Sequence, residues 1–310
     1  MTILIAAIIF IISLGLLVKS SDWLLYSAER IGLRFGMSPF LVGVTIVAFG
    51  TSLPELISSF VAVYQGLPDV VAGNAIGSNV ANILLVTGIA VVIGKKMEVS
   101  KNLIDLDLPL LATSTAIFYM VARDGSIVFG EAIVLLISYA IYLIFSIKYE
   151  KNIDNSAVDR PSLNRKDGLF LTAGIIGLAL GANYLISSIS FIADYFNVAA
   201  GLVAVTAVAL GTSLPELLVS VKAARAGKAE VALGNIFGSN IFNVLVVIGI
   251  PGLFATLPLD PKTLSIGLPV MLLATGLFVI SGISRRLHPQ EGWLFLTMYV
   301  VFIAQLFDLF

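Results

Sequence analysis

Residues 45–55 read Thr-Ile-Val-Ala-Phe-Gly-Thr-Ser-Leu-Pro-Glu, and residues 206–216 read Thr-Ala-Val-Ala-Leu-Gly-Thr-Ser-Leu-Pro-Glu. A second string follows each of them. It is Gly-Asn-Ala-Ile-Gly-Ser-Asn over residues 73–79, then Asn82, and Gly-Asn-Ile-Phe-Gly-Ser-Asn over residues 234–240, then Asn243. Shifting the chain by 161 positions lays Leu41–Ile89 on Leu202–Ile250 without a gap, with 27 identities in 49 positions. Weaker matches run upstream, with Ser27 on Ser188 and Phe35 on Phe196. The chain is two copies of one unit, and the polar strings are its best-preserved part.

The background around those strings is apolar. Of 310 residues, 58% are hydrophobic and 12% charged, against about a quarter charged in a soluble domain. A disordered chain is excluded by the hydrophobicity, and a basic nucleic-acid binder by the net charge of −1. No cysteine is present, which excludes disulfides, thiolate metal sites and cysteine nucleophiles. The composition predicts a polytopic membrane protein.

A spanning helix needs about 20 mostly apolar residues. Ten segments qualify: Thr2–Lys19 (running on toward Gly32), Pro39–Gln65, Asp69–Ile93, Leu108–Ala122, Val128–Ile147, Phe170–Ala193, Ala200–Ala224, Val231–Leu253, Leu264–Ser281 and Glu291–Leu309. The first has no basic residue ahead of it and is long, so it is expected to be a retained helix rather than a cleaved leader. The runs are too long and too continuous for the strands of a barrel.

Charge placement gives the orientation. Fifteen of 18 Lys and Arg fall in alternate loops or just inside helix ends: Arg30, Arg34, Lys95, Lys96, Lys101, Lys148, Lys151, Arg160, Arg165, Lys166, Lys222, Arg225, Lys228, Arg285 and Arg286. Arg123 and Lys262 lie on the other side, and Lys19 is placed to snorkel. The positive-inside rule puts both termini outside and the polar connector in the cytoplasm of a plasma-membrane protein. Each copy then holds five spans, residues 1–148 and 168–310, joined by a linker at 149–167. An odd number of spans enters the membrane upside down the second time. The expected fold is all-α, ten transmembrane helices in two inverted five-helix repeats, the architecture of secondary transporters with sites near the midplane.

Pro54 and Pro215 lack an N–H, which frees the carbonyls of Gly50 and Gly211 and predicts a helix break at each. Ser52 and Glu55, like Ser213 and Glu216, also fit a capping box for the restarted helix. Glu55 and Glu216 are the only acids well inside apolar spans; Glu131 and Asp22 come nearest among the rest. A carboxylate at the bilayer centre costs about 3 kcal/mol or more and marks function by default. No Lys or Arg lies mid-membrane beside them, so they are protonated, bind cations, or alternate. Asn74, Ser78 and Asn82 share one helix face at i, i+4, i+8, as do Asn235, Ser239 and Asn243. Gly73 with Gly77 and Gly234 with Gly238 permit close backbone approach. The competing reading is that these amides and hydroxyls only hydrogen-bond between helices, above all at Asn79 and Asn240, which point off the stripe. The pooled ligand atoms are all oxygen, which suits hard cations such as Ca²⁺ rather than soft metals. Two carboxylates neutralise one Ca²⁺ or hold two to three Na⁺.

The two copies of Gly-Thr-Ser-Leu-Pro-Glu, each followed by Gly-Asn-x-x-Gly-Ser-Asn-x-x-Asn, resemble the α-repeats of the cation/calcium antiporter superfamily, in its prokaryotic-type sodium/calcium exchanger branch. The resemblance implies a ten-helix exchanger that swaps Na⁺ for Ca²⁺ by alternating access, with the second, third, seventh and eighth helices as core and the first and sixth sliding across it. It implies Glu55 and Glu216 as shared Ca²⁺ and Na⁺ ligands. Thr51, Ser52, Ser78, Thr212, Ser213 and Ser239 add oxygens, as do the carbonyls of Ala48 and Ala209 and the central pair Asn82 and Asn243. Some potassium-dependent relatives carry Asp where this chain has Asn243, so no potassium requirement is expected. The short linker holds no regulatory domain. Proton/calcium exchange through the same glutamates is the alternative. A channel, or an intramembrane enzyme, is disfavoured: there is no HExxH, no membrane His and no nucleophile elbow. No cofactor, nucleic acid or obligate protein partner is expected beyond the transported ions and the bilayer, and Trp23 and Trp293 read as interfacial anchors.

Overall fold

The computed structural model describes residues 2–94, 97–98, 107–150, 161–195, 209–284 and 286–309. Among these, helices dominate: α1 Ile3–Arg34, α2 Pro39–Tyr64, α3 Asp69–Gly94, α4 Leu108–Ala122, α5 Phe129–Glu150, α6 Arg165–Tyr195, α7 Ala209–Thr212, α8 Leu214–Arg225, α9 Ala229–Gly252, α10 Thr263–Ile283 and α11 Pro289–Leu306. Seven segments are long and apolar enough to cross a membrane by length and composition, and α4 is a shorter apolar helix. The start of the span expected at Ala200–Ala224, most of the linker, and Lys95, Lys96, Lys101, Lys151, Arg160 and Arg285 lie outside the described residues.

α9 is the centre: its whole apolar window is buried, whereas α1 and α5 have theirs about one-fifth buried. α1 lies along α6, where Gly174 and Gly181 face Leu24 and Leu17 closely. The same apolar residues that would be a liability in water are thus the outer surface of the bundle, as expected where lipid is the solvent. Ion pairs tie α1 to its neighbours at one end: Arg30 to Asp167 at 2.9 Å, Lys222 to Asp22 at 2.6 Å, and Lys228 to Glu29. At the other end Lys262 pairs with Asp308.

Among the described residues, four short strands lace the loops. β1 (Met97–Glu98) pairs antiparallel with β4 (Arg286–Leu287), and β2 (Ser126–Ile127) with β3 (Leu257–Pro258). A shift of 160 positions carries β1 onto β3 and β2 onto β4, so the two ribbons exchange under the internal repeat. The same shift maps the buried face of α4 (Leu108, Leu111, Ser114, Thr115, Phe118, Ala122) onto that of α10 (Leu268, Met271, Ala274, Thr275, Phe278, Gly282). It also maps the N-terminus of α5 onto that of α11. Val128 N–H donates to Glu131 and His288 N–H to Glu291, each capping its helix start. Each ribbon also joins two loops that the charge pattern assigns to one side of the membrane.

Candidate functional site

The site is built where α2 and α8 meet α3 and α9. α2 meets α9 backbone to backbone. A Cβ on Gly234 would lie 2.5 Å from the Phe40 carbonyl oxygen, and one on Gly43 2.6 Å from that of Val231. Only glycine allows this approach. It lets side chains of the first copy bond those of the second.

Helix geometry around the motifs differs between copies. The expected break after Gly50 is absent: α2 stays helical through Pro54 from Ala48 to Tyr64, preceded by a π-helical turn at Gly43–Val47. In the second copy the break is present but displaced, with α7 ending at Thr212, Ser213 in a turn and α8 starting at Leu214. Further π-helical turns cover Ala81–Val86 and Asn243–Val247, so Asn82 and Asn243 both sit on widened backbone.

Glu55 and Glu216 are both fully buried. Glu216 Oε1 accepts from Ser52 Oγ at 2.9 Å and from Ser239 Oγ at 3.4 Å. Ser52 lies inside the continuous helix and so caps no helix start, and Ser213 makes no side-chain cap bond either. Thr51 Oγ1 donates to Asn235 Oδ1 at 3.1 Å and lies 3.4 Å from Ser239 Oγ. The pair Thr212 and Ser78, which replaces Thr51 and Ser239 under the repeat, is also 3.4 Å apart. The Ala48 carbonyl oxygen lies 3.3 Å from the same Thr51 hydroxyl.

Glu55, Asn82, Ser213 and Asn243 are buried without such ties. Both Glu55 oxygens, Ser213 Oγ and all four amide atoms of Asn82 and Asn243 lack hydrogen-bond partners. Ala209 opens α7. Asn79 serves as helix glue, its amide donating to the Asn240 carbonyl at 3.0 Å, although Oδ1 of both residues lacks a partner. The two near exceptions among the acids are explained elsewhere: Glu131 caps α5 and Asp22 pairs with Lys222. Among the described residues no salt bridge reaches Glu55 or Glu216, and no cluster of three His, Cys, Asp or Glu forms.

A buried carboxylate without a cationic partner is costly, and buried polar atoms are normally paired. Two carboxylates, six hydroxyls and two amides around one interior place the cost where a bound cation would remove it. The oxygen-only set fits Ca²⁺ or Na⁺ as cargo. Sequence reading left out Ser59 and Ser220, each one helical turn past its glutamate. Both are buried, and Ser220 accepts from Asn235 at 2.9 Å. Their identity between the copies was the available signal.

The chain matches the family model described as sodium/calcium exchanger protein over residues 5–148 and 167–307. The sodium/calcium exchanger MaX1 of Methanosarcina acetivorans is 32% identical, covering 97% of this chain and 98% of that one. The inner membrane protein YrbG of Escherichia coli is 33% identical, covering 93% and 91%. A solved structure of the sodium-calcium exchanger NCX_Mj, soaked with 2.5 mM Na⁺ and 0.1 mM Ca²⁺, superposes with a TM-score of 0.86 at 31% identity, covering 98% of this chain and 99% of that chain.

Proposed function

The chain belongs to the sodium/calcium exchanger protein family, and we propose that it exchanges Na⁺ for Ca²⁺ across a membrane by alternating access at Glu55 and Glu216. The observation that carries this reading is the pair of fully buried carboxylates at equivalent places in the two copies, with no cationic side chain paired to either among the described residues. The members named above as exchangers carry Na⁺ and Ca²⁺, which favours sodium over the proton alternative.

The chemistry follows from charge. The empty site carries up to two negative charges in a medium where each is expensive, so the carrier does not reorient readily without cargo. One Ca²⁺ neutralises it, and so do two Na⁺; a third leaves one positive charge. Either load permits the conformational change, and the empty state resists it. Fluxes of the two ions are thereby coupled in opposite directions. Thr51, Ser52, Ser78, Thr212, Ser213 and Ser239 supply hydroxyl oxygens, Asn82 and Asn243 amide oxygens, and Ala48 and Ala209 carbonyl oxygens. With Asn rather than Asp at 243, the centre lacks the third carboxylate that an additional K⁺ would require. The spanning arrangement in this reading is ten helices, residues 1–148 and 168–310 inverted with respect to each other about a linker at 149–167. Both termini face outward from a plasma membrane and the linker faces the cytoplasm, as the Lys and Arg distribution dictates.

The test is ⁴⁵Ca²⁺ uptake into proteoliposomes driven by an outward Na⁺ gradient, compared with K⁺ and H⁺ gradients. Na⁺-driven uptake that is lost in Glu55→Gln and Glu216→Gln is expected. Uptake driven by a pH gradient without Na⁺ refutes the coupling, and unchanged uptake in both variants refutes the site.

A further inference from the structure

The two halves of the site are equivalent in sequence and unequal in structure. In the second half buried hydrogen bonds link Ser220, Asn235 and Thr51, and Ser239 Oγ lies 3.4 Å from Thr51 Oγ1 at the end of this relay. Asn235 Nδ2 donates to Ser220 Oγ at 2.9 Å and reaches toward the Glu216 carbonyl at 3.5 Å, while its Oδ1 accepts from Thr51. One amide thus anchors a hydroxyl of α2, a hydroxyl of α8 and the backbone of the carboxylate-bearing residue. Asn235 is fully buried.

The repeat supplies the same four residues to the first half: Ser59, Asn74, Thr212 and Ser78. There the relay is open. Asn74 Oδ1 and Ser59 Oγ have no partner, although both atoms are buried. Asn74 Nδ2 instead lies 3.4 Å from Ser58, which donates to the Glu55 carbonyl at 2.9 Å. Valine 219 stands at the position of Ser58 in the second copy, so Asn235 has no such competing partner. The outer pair, Thr212 and Ser78, is already at the same 3.4 Å as its counterpart. Closing the first relay therefore asks chiefly for the Asn74 amide to change partners. Were these asparagines helix glue alone, both would be satisfied together; a buried amide oxygen left unpaired is costly.

We propose that Asn235 and Asn74 are positioning residues of the exchange site, each fixing the hydroxyl set of one half, and that their relays form one at a time as the carrier alternates. In an inverted-repeat transporter the opposite conformation exchanges the roles of the two copies. The relay formed here then opens and the Asn74 relay closes around Glu55. Each asparagine acts on ion affinity at one membrane face only. The inference rests on the exchange reading above.

The experiment measures Na⁺-dependent ⁴⁵Ca²⁺ exchange by the full chain in vesicles of known orientation, with Ca²⁺ varied on one face at a time. Asn235→Ala is expected to raise KM for Ca²⁺ about three- to tenfold at one face, the size of one hydrogen bond's net contribution, with the maximal rate within about twofold. Asn74→Ala is expected to do the same at the opposite face. Ser220→Ala and Ser59→Ala, which remove only the end of each relay, follow their own asparagine and decide the matter where an asparagine variant does not insert. Equal changes at both faces, a fall in rate without a KM change, or no change in any of the four overturns the relay. Wild-type chain that exchanges no Ca²⁺ overturns the exchange reading and the relay with it, so the two failures are distinct.

Discussion

Substituting Gly234 by alanine tests whether the interior is held together by contact of α2 with α9. An alanine Cβ there would lie 2.5 Å from the Phe40 carbonyl oxygen, 3.0 Å from the Val44 nitrogen and 3.1 Å from the Gly43 Cα. All three are backbone atoms, so no side chain can swing away. Ordinary contact begins at 3.4 Å, and relief requires the two helices to part by roughly 0.9 Å. The bond from Thr51 to Asn235, now 3.1 Å, then stretches to about 4 Å, beyond hydrogen-bond range. Overpacking costs about 1–3 kcal/mol and the lost bond about 1 kcal/mol more, so destabilisation of roughly 2–4 kcal/mol is expected. Thermal unfolding in detergent without ions reads the first effect, and KM for Ca²⁺ in proteoliposomes reads the second. Wild-type stability together with wild-type KM would refute the close approach and the site geometry built on it.

Other outcomes follow from single contacts. Ser52→Ala removes a hydroxyl bonded to Glu216, a contact of about 1 kcal/mol, whereas Ser213→Ala removes one with no partner; ion-free stability is expected to drop in the first and hold in the second, and equal drops would contradict the asymmetry. Asp22→Asn breaks an exposed ion pair with Lys222, and a loss of no more than about 1 kcal/mol, fading at high salt, is expected from unfolding at two ionic strengths; a large salt-independent loss would contradict it. Omitting K⁺ is expected to leave Na⁺-driven ⁴⁵Ca²⁺ flux unchanged, and a K⁺ requirement in wild type would overturn the reading of Asn243.

Most of the helical layout could be read from residues. Helix α4 matches its expected bounds, and α2 and α3 end within a residue of theirs. Continuous apolar runs flanked by charge leave little freedom in lipid. The repeat was legible in α2, α3, α8 and α9 because buried polar side chains and glycine contacts tolerate few residue types. It was not legible in α4 against α10, where Leu111 corresponds to Met271 and Ser114 to Ala274, because one buried apolar or small residue replaces another at little cost. There only the spacing of burial survived. Glu55 and Glu216 stood out as acids in hydrocarbon. The unequal hydrogen bonding of Ser52 and Ser213 did not, since identical motifs carry no record of which conformation the chain occupies. The continuous helix through Pro54 was missed for a related reason: a proline removes one hydrogen bond, and the residue string does not say whether the helix ends there or runs on.

The two ribbons have a consequence for how the chain is made. Met97 pairs with Leu287 and Ser126 with Pro258, partners that leave the ribosome long after the first five helices are complete. Thr51 and Ser52 likewise wait for Asn235 and Glu216. The amino-terminal half therefore emerges with unmatched strand edges and an unfilled polar interior, and its folding is finished by the second half. Such long-range closure is slow. Either half expressed alone is expected to be a substrate for quality-control proteolysis, and the two halves supplied together as separate chains are expected to rescue one another.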